Sequence, residues 1–285
     1  MNGKQLGIAR QRRIGFAASV VAAIGILVGA TSGAAAATTY PNSMASTGDS
    51  ITRAYNTGSM AFTDNPAASW STGTNTTVVS HYTRLLGLNP AISGHVWNDA
   101  KSGARMVDLG GQLTTVAGRG VDYVTILMGG NDVCQPTEAA MTSVADFTAQ
   151  FSNAMATFTA ASPTTQIYVV SIPNVKNLWS VLKNNGIARF IWSLGQVCQS
   201  MLARPLSTAQ ADVDRRDRVL GREVDFNTAL ATVCARYTQC RFDGNAVFNL
   251  AFAASDISTR DYFHPSLAGQ KKLAAVSWSA GYWGP

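Results

Sequence analysis

The sequence predicts an α/β domain built on a central parallel sheet, and three observations predict it. Short runs of apolar and β-branched residues alternate with longer stretches of helical period, the pattern of strand–helix–strand units. No internal repeat, low-complexity linker or composition break divides the chain. The 248 residues that follow an export-type leader suffice for one domain, 38–285, with a sizeable core.

Residues 1–37 read as a secretory signal peptide. Lys4, Arg10, Arg12 and Arg13 precede an apolar run over 16–30, and small residues follow. Several A-x-A frames overlap between Ala34 and Ala37, so cleavage is expected there without one bond being singled out. The run is too short and alanine-rich for a membrane span; the alternative is an uncleaved anchor. Arg12-Arg13 also fits twin-arginine export loosely.

The leader holds four of the 22 basic residues and none of the 16 acidic ones, so 18 basic residues face 16 acidic in the remainder. A nearly neutral chain without basic runs carries no electrostatic footprint for nucleic acid or anionic membranes. The expected product is a secreted, extracellular monomer with no stable membrane insertion once the leader is removed.

Within the domain, 43–47, 95–98, 123–128 and 167–172 read as strands. Met141, Val144, Phe147, Phe151, Met155 and Phe158 recur at three- and four-residue spacing, one buried helix face, and Pro163 ends that helix. A second long helix is expected over 209–237. Its mixed charges, Asp212, Asp214, Arg215, Arg216, Asp217, Arg218, Arg222, Glu223 and Asp225, read as a solvated face. A last helix over 266–278 starts just after Pro265. Cys134, Cys198, Cys234 and Cys240 form an even set in an exported chain, which favours disulfides over metal ligation. Three pairings are possible; the short local loop favours Cys234 with Cys240, leaving Cys134 with Cys198.

The chain has three histidines, His81, His95 and His264, and only His264 lies in a suggestive setting, "TRDYFHPS". Asp261, three residues earlier, reaches Nδ1 if the segment turns, and leaves Nε2 to accept a proton from a serine hydroxyl. Attack on an ester carbonyl also creates an oxyanion that needs donors in a dry pocket. "LMGGNDVC" supplies a candidate at a strand's carboxyl edge, the Asn131 amide beyond Gly129 and Gly130. "WNDAKSGARM" supplies another, the Gly103 N–H, with helix expected from about residue 104. "MASTGDSIT" reads as a first strand turning through Gly48 and Asp49 into a helix, which exposes the Ser50 hydroxyl at that edge and offers its N–H as a third donor. Taken singly, each feature has a plainer reading: a helix N-cap for Ser50, a Gly-Gly-Asn-Asp turn, a helix-start glycine, a capping turn with a surface histidine.

Together, Gly48-Asp49-Ser50, Gly103, Gly129-x-Asn131 and Asp261-x-x-His264 resemble, in order, the four blocks of the SGNH hydrolase superfamily, the GDSL esterases and lipases. The resemblance spans residues 43 to 270, and "GDSITRAYN" is similar to secreted actinobacterial members. It implies a three-layer αβα, flavodoxin-like fold. It also implies Ser50 as nucleophile, His264 as general base and acid, Asp261 orienting it, and an oxyanion hole of Ser50, Gly103 and Asn131, without cofactor or metal. The chain lacks the G-x-S-x-G elbow of α/β-hydrolases and the H-E-x-x-H pair of zinc hydrolases.

The expected activity is hydrolysis of a small-molecule or lipid carboxylic ester through an acyl-enzyme on Ser50. The rival is a non-catalytic carbohydrate- or lipid-binding protein on the same fold; within enzymes, the rivals are a phospholipase and a polysaccharide deacetylase. Residues 174–210, with Trp179, Phe190, Trp192 and Met201, exceed a simple strand-to-helix connection. Part of this segment is expected to cover the acyl pocket, unless its aromatics only fill a satellite core.

Overall fold

Five short runs of the chain pair side by side in one direction, and the structure, a computed structural model, describes them within residues 39–284. The leader expected at 1–37 lies outside the described residues. β1 (Met44–Gly48) leads to α1 (His81–Leu88) and β2 (Val96–Asn98). α2 (Leu109–Arg119) is followed by β3 (Tyr123–Leu127), the short α3 (Gly130–Val133) and the long α4 (Val144–Ala161). β4 (Gln166–Val169) precedes α5 (Val175–Leu182), α6 (Gly186–Leu194), α7 (Gln199–Leu202) and α8 (Gln210–Cys234). β5 (Cys240–Phe242) and α9 (Leu267–Ala280) complete the order.

Local chemistry accounts for the helix starts. The side chains of Ser80, Ser143, Asn174, Asn185 and Ser266 each accept a backbone N–H in the first turn of the helix they precede. α4 ends at Ala161, two residues before Pro163.

The sheet order is β2-β1-β3-β4-β5, all parallel. β1 and β3 are buried along their whole length, as strands covered on both faces must be. Thr125 and Tyr168 are register partners, so Tyr123, Thr125 and Tyr168 share a face. α1 and α9 cover it, with His81 bonded to both Tyr123 and Ser277. α2, α4 and α8 pack together on the other face, where the rings of Phe147 and Phe226 stack at 4.0 Å. The expected three-layer αβα arrangement is thus present. The order reverses between β1 and β3, and at such a switch point the loops leaving the strand ends diverge and open a crevice.

Three expectations need correction. The charges of α8 form a solvated face only in part: Asp217, Arg218 and Asp225 are exposed, but Asp212, Arg216 and Glu223 are buried. The 174–210 segment folds as three helices, of which α5 and α7 pack against α8 and α6 against α7, and it supplies their partners. Asp212 binds Arg204 at 2.8 Å, the Arg216 guanidinium lies 4.5 Å over the Trp179 ring, and Glu223 accepts the Val175 N–H. Burial pushes the Glu223 carboxyl well above its ordinary range.

No regular helix follows Ser50 either. Residues 50–56 form a run of turns, because Ala54 (φ 49°) and Asn56 (φ 62°) take left-handed backbone that a right-handed helix excludes. After Gly103, a single 3-10 turn over Met106–Asp108 comes before α2 at Leu109. The three-residue β5 was not anticipated; it is too short for a period to show. Cys134 is bridged to Cys198 and Cys234 to Cys240, the favoured pairing. Among the described residues no helix is long and apolar enough to cross a membrane.

Candidate active site

Ser50 sits just beyond the carboxyl end of β1, and the turn that carries it depends on Gly48. At φ 142° that residue takes a backbone side chains rarely adopt, and a Cβ there would meet Leu127 O at 2.4 Å. Asp49 follows, buried, with Oδ1 accepting the Ile51 N–H at 2.9 Å. Burial raises its carboxyl to about 6, although the Ile51 N–H and the nearby His264 work against the rise.

Residues 256–266 fold back on themselves beside Ser50. Ile257 bridges Pro265, Ser258 N donates to His264 O at 2.8 Å, and Ser266 N donates to Asp256 O at 2.8 Å. At the tip, Asp261 Oδ1 accepts the N–H groups of Phe263 and His264 at 2.9 and 3.0 Å, while Oδ2 lies 2.6 Å from His264 Nδ1. His264 Nε2 lies 2.7 Å from Ser50 Oγ. A carboxylate only accepts, so Nδ1 carries the proton and Nε2 is the acceptor of the Ser50 hydroxyl. Burial tends to raise the Asp261 carboxyl, but the His264 hydrogen bond and charge, with the Asn56 and Phe263 donors, hold it below its ordinary value. The rings of Tyr55 and Phe263 flank the imidazole at 5.0 and 5.1 Å.

The loop after β3 brings Asn131 to the same edge. Gly129 takes φ 126°, and a Cβ there would strike Ile172 Cδ1 at 2.4 Å. Asn131 Nδ2 donates one N–H to Ala104 O at 2.9 Å, and a carboxamide NH2 has a second to offer. That bond ties Asn131 to the loop holding Gly103, itself at φ 81°, and Lys101 N anchors the loop on Gly48 O at 3.1 Å. Ser50, Asn131 and His264 line a narrow cleft that is partly open to solvent; Gly103 and Asp261 do not. The other walls are mostly apolar, including Ile172, Pro173, Val175, Leu178, Phe252 and Phe263. From the 174–210 segment, Asn174, Val175, Asn177 and Leu178 contribute to this wall, while Trp192 and Met201 are buried in the core and Phe190 is exposed.

Asn56 was missed. Its Nδ2 donates to Asp261 Oδ2 at 2.5 Å, its Oδ1 accepts the Phe62 N–H at 2.5 Å, and its carbonyl accepts the Ser258 hydroxyl at 2.9 Å. Nothing local marks it, since its partner lies 205 residues away; its inclusion in "GDSITRAYN" was the one available signal. Among the described residues, no group of three or more His, Cys, Asp or Glu side chains is placed to hold a metal ion.

Solved structures that share this fold include two lipases by name. An extracellular lipase from Streptomyces rimosus matches with a TM-score of 0.51 and 20% identity over 84% of this chain and 99% of its own. A Parabacteroides merdae protein that carries the name GDSL-like lipase matches with a TM-score of 0.52 and 17% identity over 83% of this chain and 94% of its own. Identities this low speak to the fold alone. No curated protein matches the chain. The profile of the GDSL-like Lipase/Acylhydrolase family matches residues 46–276, which span Ser50, Gly103, Asn131, Asp261 and His264. The chain belongs to the GDSL-like lipase/acylhydrolase family.

Proposed function

We propose that this protein is a secreted serine hydrolase of carboxylic esters, working without a cofactor through an acyl-enzyme on Ser50. The observation that carries the reading is the file of hydrogen bonds from Ser50 Oγ through His264 to Asp261, at 2.7 and 2.6 Å, opening on an apolar cleft. Nε2 is oriented to take the hydroxyl proton as Ser50 Oγ attacks the ester carbonyl, and Asp261 stabilises the imidazolium that forms. The proton then passes to the departing alcohol. Water, deprotonated by the same nitrogen, attacks the acyl-enzyme and releases the acid.

The oxyanion of each tetrahedral intermediate is assigned to the N–H groups of Ser50 and Gly103 and the free N–H of Asn131 Nδ2. The apolar wall suits an acyl chain. Asn56 is a positioning residue, acting on the imidazole through Asp261. Residues 1–37 are read as the leader and 38–285 as one domain; the two disulfides favour an oxidising compartment.

Hydrolysis of a short p-nitrophenyl ester by the parent and by Ser50→Ala tests the reading. The expected result is loss of essentially all triad-dependent turnover in the variant. Equal rates would end the nucleophile assignment.

A further inference from the structure

We infer that the outer face of α6, together with the cations beside it, docks this protein peripherally on an anionic lipid–water interface. A helix at the surface of a domain normally turns one apolar stripe inward. α6 has a second one. Ala188 and Trp192 are buried, whereas Ile187, Phe190 and Leu194, at i, i+3 and i+7, are 60, 65 and 74% exposed. Ile191, at i+4, joins the same side half-buried. Large apolar side chains grouped on one helix face mark a binding surface, unlike apolar residues scattered singly.

The charges around the stripe select the occupant. From 174 to 211 the sequence holds Lys176, Lys183, Arg189 and Arg204 and no acidic residue. Lys176 pairs with Asp217 and Arg204 with Asp212. Lys183 and Arg189 make no salt bridge among the described residues: the Lys183 ammonium lies 4.4 Å over the Trp179 ring, and Arg189 donates to Lys183 O at 3.0 Å. Lys183 precedes α6 and Arg189 lies in its first turn, so the apolar stripe carries uncompensated cations at its N-terminal end, a combination that matches acyl chains beneath anionic headgroups. A second copy of the chain docked face to face would set those cations against their own kind. The near-neutral balance of residues 38–285 conceals this segment because the acidic residues lie elsewhere.

The stripe is also fastened to the candidate site. Trp192 Nε1 donates to Tyr262 O at 2.9 Å, two residues before His264. Cys198, just after α6, is bridged to Cys134 in the cleft wall. The loop carrying Met60 and Phe62, both 68% exposed, is tied to the same 258–264 segment through Ser258–Asn56 and Arg260–Ser59. The inference deepens the ester-hydrolase reading and rests on it at one point, that the ester is drawn from the lipid surface.

Co-sedimentation with phosphatidylglycerol/phosphatidylcholine vesicles, against phosphatidylcholine alone, tests it in the Ser50→Ala chain, so that lipid is not consumed. Variants are compared within one background, so any contribution of residues 1–37 is common to all. The anionic vesicles should bind at least about tenfold more tightly than the zwitterionic ones, and salt should weaken them. Ile187→Ser/Phe190→Ser/Leu194→Ser should lose at least about tenfold. Lys183→Ala/Arg189→Ala should lose about fivefold per cation.

With Ser50 intact, both variants should hydrolyse a soluble short ester at the parent rate. Parent-like vesicle binding by both variants, indifference to lipid charge, or a dimer that the triple substitution dissolves in light scattering would each overturn the inference. Failure of the Ser50-intact parent on the soluble ester would instead overturn the hydrolase reading and leave the vesicle result standing.

Discussion

Asn56 Nδ2 and His264 Nδ1 converge on the same oxygen, Oδ2 of Asp261, at 2.5 and 2.6 Å, from positions more than 200 residues apart in sequence. With the two backbone donors on Oδ1, the carboxylate accepts four hydrogen bonds and has little freedom to turn. Asn56 is held in turn by Phe62 N and the Ser258 hydroxyl, so the 56–62 loop braces the imidazole at one remove.

Removing that brace should act through Asp261. Asn56→Ala is expected to lower kcat by about ten- to a hundredfold, the range for a hydrogen bond to a charged group. Because the Asn56 donor helps to hold the Asp261 carboxyl low, its loss lets that group take a proton at higher pH. The acid limb of the kcat/KM profile, which belongs to the coupled Asp261–His264 pair, should therefore move to higher pH. A fall in kcat with an unmoved acid limb would reduce Asn56 to a structural residue.

Asn131 carries a different expectation. Asn131→Ala should cost on the order of a hundredfold or more in kcat with KM little changed, as for loss of a donor made useful only when charge develops. Steady-state kinetics on one ester decide it. A rise in KM at constant kcat would place Asn131 in ground-state binding instead.

His81 predicts an acid sensitivity unrelated to the cleft. Its ring is buried between α1, α9 and the sheet, and burial depresses it to about 3 from 6.5. The Ser277 hydroxyl donates to Leu273 O at 2.6 Å, so its oxygen accepts from His81 Nε2–H at 2.9 Å, and Nδ1 accepts from the Tyr123 hydroxyl at 3.1 Å. A second ring proton has no acceptor in that network. As pH falls from 6.5 toward 3 the unfolded chain gains a proton that the folded chain refuses, and stability falls. In urea unfolding, the advantage of the parent over His81→Gln should shrink by about 2 kcal/mol between pH 7 and pH 5. An advantage independent of pH would contradict the neutral buried ring.

The two disulfides should differ in weight. Cys134–Cys198 closes a separation of 64 residues and Cys234–Cys240 one of 6, which in the chain-entropy account correspond to about 4 and about 2 kcal/mol. Replacing both cysteines of the longer bridge should lower Tm by about twice as much as replacing those of the shorter one. The reverse order in calorimetry would show that strain or residual structure outweighs loop closure.

Much of the fold was legible because its signals are local and periodic. The α4 face from Phe147 to Phe158 carries its period, and the strands ending at Gly48 and Leu127 read as short continuous runs, each within a few residues. Ser50, Gly103, Asn131, Asp261 and His264 stood out only as a set, four blocks in one order, since each alone has a plainer reading; what the structure adds is the hydrogen-bond contact of Ser50, His264 and Asp261. Partnerships between distant residues were not legible. Asn56 needs Asp261 to have meaning, and Asp212, Arg216 and Glu223 look solvated until the 174–210 helices close over them. The outward stripe of α6 was hidden for the related reason that its apolar residues resemble core until the inward face is seen to be filled by Ala188 and Trp192.

The central claim is that the Ser50 hydroxyl is activated by His264. Labelling with a fluorophosphonate probe, followed by peptide mass spectrometry, tests it most directly, because the probe reacts only with a serine made nucleophilic. The account predicts stoichiometric modification at Ser50 in the parent and none in His264→Ala. Modification at another residue, or unchanged labelling of Ser50 without the imidazole, would contradict it.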